Sequence, residues 1–141
     1  MRSEKMNGPG DAVLIVDDDP AMAAFMADVV GAFFQIKVLR AETAQAARDL
    51  FKRHAEEIRA MLCDFSIGDE AGTRLVKEFC ATRADLNVIF VTGHLFNEQK
   101  LSHVVGREVA LIMKPFGPFE LKAALEKSLW AAQGVSYELS I

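Results

Sequence analysis

Short apolar runs and amphipathic stretches alternate five times along this chain, and that alternation constrains the fold more than any other feature. Residues 12–16 form an unbroken run rich in Val and Ile, the pattern of a strand covered on both faces. From Pro20, apolar Met22, Phe25, Met26, Val29, Val30 and Phe33 recur at spacings of three and four. With Asp19 as N-cap and Pro20 in the first turn, this predicts a helix to about Phe34. The cycle then repeats as strand 36–40 and helix 43–54, strand 60–63 and helix 73–82, strand 88–91 and helix 97–105, strand 109–113 and helix 118–132.

Parallel strands need crossover connections, which helices of this length supply. The expected fold is therefore α/β, a flavodoxin-like (βα)5 three-layer sandwich with a five-stranded parallel sheet in the order 2-1-3-4-5. Residues 1–11, with Gly8, Pro9 and Gly10 and little to bury, read as a flexible leader, and 12–132 as a single domain. Residues 133–141 read as a tail, either docked or the start of a linker. At 141 residues and 51% apolar, such a domain can bury close to about 70% of its unfolded surface.

Composition narrows the function. A net charge of −4 with no basic cluster argues against a nucleic-acid surface, which needs clustered Lys and Arg. No apolar run is long enough to span a bilayer and the leader lacks an apolar segment, so membrane insertion and secretion are not expected. Cys63 and Cys80 sit inside apolar runs rather than at metal or redox spacing, which predicts buried free thiols and a reducing, cytoplasmic location. His54 and His103 read as exposed helix residues, and "KRHAEEIR" from Lys52 as a solvated helix end and loop.

The polar residues that matter stand at the carboxyl ends of the expected strands. "VLIVDDDP" runs four apolar residues into Asp17, Asp18 and Asp19; Asp64 follows the third strand, Thr92 the fourth and Lys114 the fifth. In the order 2-1-3-4-5 these ends adjoin, so the carboxylates of Asp17, Asp18 and Asp64, a hydroxyl and an ammonium would share one crevice. Neighbouring carboxylates raise the cost of ionising one another. A hard divalent cation relieves that repulsion, and Mg²⁺, which binds through a few carboxylates, waters and phosphate oxygens, is the expected cofactor. Lys114 and Thr92 are left for an anionic ligand such as a phosphoryl group.

On "VDDD", "LCDF", "FVTG" and "MKPF", in that order and each at a strand end, the chain resembles the receiver domain of two-component response regulators, similar to the chemotaxis-type single-domain regulators. The resemblance covers residues 12–132. It implies Asp64 as phosphoacceptor, Asp17 and Asp18 as Mg²⁺ ligands together with Asp64 and the backbone carbonyl of Ser66, Thr92 as a contact of the phosphoryl group, and Lys114 as its ion-pair partner. It also implies a cis peptide bond before Pro115. The implied partners are a histidine kinase or phosphotransfer protein and a downstream protein target, with pairing of two copies through the last helices as a further expectation. The implied readout face is the helix from Asn97, the fifth strand and the last helix.

Two positions depart from the family pattern. Leu111 stands three residues before the lysine, where Tyr or Phe is common, so the aromatic toggle is missing. Gly68 stands in the loop after Asp64 where a proline is frequent. Ser66 and His94 flank the pocket at positions that tune acyl-phosphate lifetime in the family. The leading expectation is a stand-alone receiver, a phosphoacceptor signalling domain rather than an enzyme. The alternative is a receiver-like interaction module that works without phosphorylation. A metal-dependent phosphohydrolase is disfavoured, because its second acid is expected two residues after the nucleophile, where Ser66 stands.

Overall fold

The computed structural model describes residues 11–93 and 98–132, without the side chains of 98 and 129–132. The expected leader up to residue 10, His94, Asn97, the Trp130 side chain and the tail from 133 lie outside the described residues. The elements run β1 (Ala12–Val16), α1 (Pro20–Phe34), β2 (Lys37–Ala41), α2 (Ala44–His54), β3 (Ile58–Asp64), β4 (Ser66–Ile67), β5 (Glu70–Ala71), α3 (Gly72–Thr82), β6 (Asn87–Thr92), α4 (Glu98–Val105), β7 (Ala110–Met113) and α5 (Pro118–Ala132). Five strands form one parallel sheet in the order β2-β1-β3-β6-β7. Leaving out the small β4–β5 hairpin, this is the 2-1-3-4-5 order of a flavodoxin-like (βα)5 sandwich.

Side-chain alternation along each strand divides the core in two. Leu14, Val16, Met61, Cys63, Val88 and Phe90 point to the face covered by α2, α3 and α4, where Phe51 and Phe79 stack at 4.1 Å. Val13, Ile15, Ala60, Leu62, Ile89 and Val91 point to the other, against Met26, Val29 and Val30 of α1 and Leu121 and Leu125 of α5. Every residue of β1 is fully buried, as its unbroken apolar run requires of a central strand with helices on both sides.

The helix starts follow capping chemistry. Asp19, extended and just before Pro20, accepts from the Ala21 N–H at 3.0 Å, and Thr43 Oγ1 accepts from the Ala46 N–H at 3.0 Å. Both satisfy orphan donors of a first turn. Several expectations need correction. β3 begins two residues earlier than its apolar pattern indicated: Ile58 is buried and Arg59 lies within the strand, so "KRHAEEIR" ends in sheet rather than loop. His54 is half-buried with Nδ1 3.1 Å from Glu57 Oε2, because the chain turns back after α2 and brings that carboxylate against the ring. Cys63 is buried, but Cys80 is only partly so, with an Arg107 Nη1 donating to its sulfur at 3.3 Å.

Candidate functional site

Strand register gathers the polar residues. Val16 is level with Cys63, Asp64 with Val91, and Thr92 with Met113. Asp17 therefore stands beside Asp64, and Thr92 and Lys114 continue the row across β6 and β7. Ligand atoms of Asp17, Asp18 and Asp64 lie within 4.8 Å of one another. Lys114 Nζ is 3.7 Å from Asp64 Oδ1 and 3.9 Å from Asp17 Oδ2.

Asp17 is the buried member of the group. Its N–H donates to the Ala41 carbonyl at 3.1 Å, continuing the ladder of β1 on β2. Its Oδ1 accepts from the Asp19 N–H at 2.9 Å, while Oδ2 is buried without a hydrogen-bond partner. A buried charged oxygen without a donor is costly. Burial pushes the Asp17 carboxyl up from 3.8 to about 6; the Asp64 charge adds to the rise, and the Asp19 amide and Lys114 oppose it. An orphaned carboxylate oxygen facing two more carboxylates fits a hard, oxygen-seeking divalent cation.

Asp64 closes β3 with its side chain half-buried. The backbone beyond it is tightly placed: the Phe65 N–H donates to the Val91 carbonyl at 3.1 Å and the Gly72 N–H to the Phe65 carbonyl at 2.8 Å. A Cβ at Gly72 would run into the Asp64 carbonyl, so only glycine lets the start of α3 approach this closely. The Cys63 thiol, donating to that carbonyl at 3.3 Å, is held well above its usual pKa by burial, with the charges of Asp64 and Asp17 adding to it. It stays a protonated core group rather than a nucleophile.

Thr92 and Lys114 are tied through the backbone. The Lys114 N–H donates to the Thr92 carbonyl at 2.7 Å, Thr92 is buried, and the Lys114–Pro115 peptide bond is cis. Gly93, exposed, has open space where a side chain would stand. Ser66, the expected carbonyl donor, is exposed and opens β4, two residues after Asp64. Leu111 packs half-buried against the core cluster shared with α2, α3 and α4.

Sequence reasoning missed the hairpin. Ser66 pairs with Ala71 and Ile67 with Glu70, and the Gly68 N–H at its turn donates to Asp18 Oδ2 at 2.9 Å. The signal was present in "SIGDEA": a Gly-Asp pair between two short strand-like pieces is a two-residue hairpin turn.

The sequence pattern described as response regulator receiver domain matches residues 13–126. Among solved structures, the chain is similar to a CheY-like receiver domain protein of Methanospirillum hungatei JF-1, with TM-score 0.77 and 26% identity over 88% of this chain and 97% of that one. It is similar in fold to the chemotaxis protein CheY4 of Vibrio cholerae, with TM-score 0.75 and 20% identity over 84% of this chain and 98% of that one. It also matches NtrX of Brucella abortus, with TM-score 0.74 and 20% identity over 86% of this chain and 27% of that longer one. No curated protein sequence matches it.

Proposed function

The chain belongs to the response regulator receiver domain family, and from that premise we propose that it is a stand-alone receiver that takes a phosphoryl group from a histidine kinase or phosphotransfer protein onto Asp64. The observation that carries the proposal is the arrangement of Asp17, Asp18 and Asp64 within 4.8 Å with Lys114 Nζ at 3.7 Å from Asp64. Asp17, Asp18, Asp64 and the Ser66 carbonyl would hold Mg²⁺. When bound, that ion supplies positive charge for the equatorial phosphoryl oxygens and relieves the orphaned Asp17 oxygen.

A carboxylate oxygen of Asp64 attacks the phosphorus of a phosphohistidine. A P–O bond forms, the P–N bond breaks, and the imidazole leaves with the bonding electron pair and takes a proton from water. The Lys114 ammonium, already beside Asp64, pairs with the transferred group. Catalysis is mainly placement. The new charge recruits the Thr92 hydroxyl and Lys114, whose backbones are already bonded, and so biases the ends of β6 and β7. α4, β7 and α5 carry the readout to a protein target.

Acetyl phosphate with Mg²⁺ should add one base-labile phosphoryl group to the chain, and Asp64→Asn should abolish it. An unmodified wild type favours the second reading, a phosphorylation-independent interaction module, to which the packed, non-aromatic Leu111 lends support. The stand-alone part of the proposal is tested by the size at which an antibody to this domain detects the protein in its own cells.

A further inference from the structure

The segment between Asp64 and α3 is a built structure. Its hairpin turns through Gly68 and Asp69, and of the two only Gly68 has positive φ, at 61°, the pattern of a type II′ turn. Two anchors hold it. Ile67 is buried in the core under α2 and α3, and Glu70 forms an ion pair with Arg48 of α2. Arg48 is itself fixed, its Nε donating to both oxygens of Glu78 at 3.1 and 3.0 Å.

From this anchored turn the Gly68 N–H reaches Asp18 Oδ2 at 2.9 Å, across 50 residues of sequence. Asp18 is the exposed carboxylate of the cluster, and an exposed side chain keeps its rotamer freedom unless something holds it. The amide takes one lone pair of one oxygen and leaves the others free to accept a cation. A proline at this place, with no N–H, could not make the bond.

We propose that the Ser66–Ala71 hairpin is a positioning element for the cation site, in which the Gly68 N–H orients Asp18 and the Arg48–Glu70 pair sets where that N–H stands. The inference rests on the reading of the acidic cluster as a Mg²⁺ site. Arg48, Glu70 and Gly68 are then positioning residues that tune metal affinity without touching the ion.

Mg²⁺ titration calorimetry on the full chain tests this, together with the NMR signal of the Gly68 amide in metal-free protein. Gly68→Val, which disfavours positive φ, should weaken Mg²⁺ binding about tenfold, the low end of what lost supporting contacts cost a metal site. Gly68→Asn, which accepts positive φ more readily than Val and keeps the N–H, should weaken binding less than Gly68→Val. Arg48→Met should weaken binding about threefold, and Arg48→Lys should recover most of that. Arg48→Met combined with Glu70→Gln should be no worse than Arg48→Met alone. Asp18→Asn should move the Gly68 amide resonance without metal, which reports the amide–carboxylate bond. Arg48→Met should move the same resonance as well, which a hairpin whose N–H is placed independently of the Arg48–Glu70 pair would not show. If wild type binds Mg²⁺ and both Gly68→Val and Arg48→Met bind equally well, the inference is overturned while the metal reading stands. If wild type binds no Mg²⁺, both fall.

Discussion

The two ends of the sheet carry carboxylates in opposite circumstances. At the amino ends of the strands three carboxylates have partners of their own: Asp11 pairs with Arg59 at 3.2 Å, Glu57 pairs with Lys37 at 3.0 Å and lies beside the His54 ring at 3.1 Å, and Asp85 pairs with Arg83 at 2.9 Å. At the carboxyl ends, three carboxylates have ligand atoms within 4.8 Å of one another, and two of them, Asp17 and Asp64, share Lys114. The protonation behaviour follows. Hydrogen bonds from Lys37 and His54 hold Glu57 below the usual carboxylate range, and one from Arg83 does the same for Asp85. Burial, with the Asp64 charge behind it, pushes Asp17 up to about 6. The matched end is ordinary surface electrostatics, whereas the acidic end holds a charge that the fold alone disfavours.

The largest effect should come from removing that charge. Asp17→Asn keeps the shape of the buried side chain and deletes its ionisation. A displacement from 3.8 to about 6 corresponds to about 3 kcal/mol at most. We expect metal-free Asp17→Asn to be more stable than wild type by about 2 kcal/mol at pH 8 in urea unfolding, while Mg²⁺ uptake is lost. A destabilised variant would mean that Asp17 is already compensated, and the contrast between the two ends would collapse.

Much of this was legible in the sequence because its causes are local or periodic. The unbroken run 12–16 demanded a central strand, and Asp19 before Pro20 announced a helix start. Asp17, Asp64, Thr92 and Lys114 could be brought together because each sits one step past an apolar run, and parallel register carries such positions to one edge. What escaped depended on contacts remote in the chain. The Gly68 amide finds Asp18 only after β1 and β3 pair, and Glu70 finds Arg48 only once α2 lies beside the hairpin. Ile58 joined β3 against its charged neighbours because β1 needed a partner at Ala12. His54 is the local exception: its half-burial comes from an i,i+3 contact with Glu57 across the turn that closes α2.

Titration should separate the two ends by sign. Asp17 has a folded pKa above its unfolded one, so its contribution to stability is fully present below the unfolded value of 3.8 and is lost as pH rises through about 6. Glu57 and Asp85, held low, contribute stability above the unfolded carboxylate range that is lost as pH falls through their folded values. Metal-free wild type should therefore lose stability between pH 4 and about 7 relative to Asp17→Asn, and the difference curve should be flat above that window. Saturating Mg²⁺ should reverse the trend, since an ion taken up by the ionised cluster would stabilise the native state by mass action. A difference curve that is flat from pH 4 upward would place the Asp17 carboxyl in its ordinary range.

The smallest effect belongs to the matched end, and its smallness is the point. Arg59 and Asp11 are both about one-fifth exposed at the side chain, which lies between an open surface pair, worth about 0–1 kcal/mol, and a fully buried one, whose breaking costs about 3–5 kcal/mol. Arg59→Met keeps most of the packing of the long side chain and should cost about 1 kcal/mol, less than the Asp17 effect, and shrink in high salt. Mg²⁺ affinity should not change, because Arg59 stands at the opposite end of β3 from Asp64. A loss of several kcal/mol, or a shift in metal affinity, would show that the two ends of the sheet are coupled and that the acidic end draws on the matched one for its geometry.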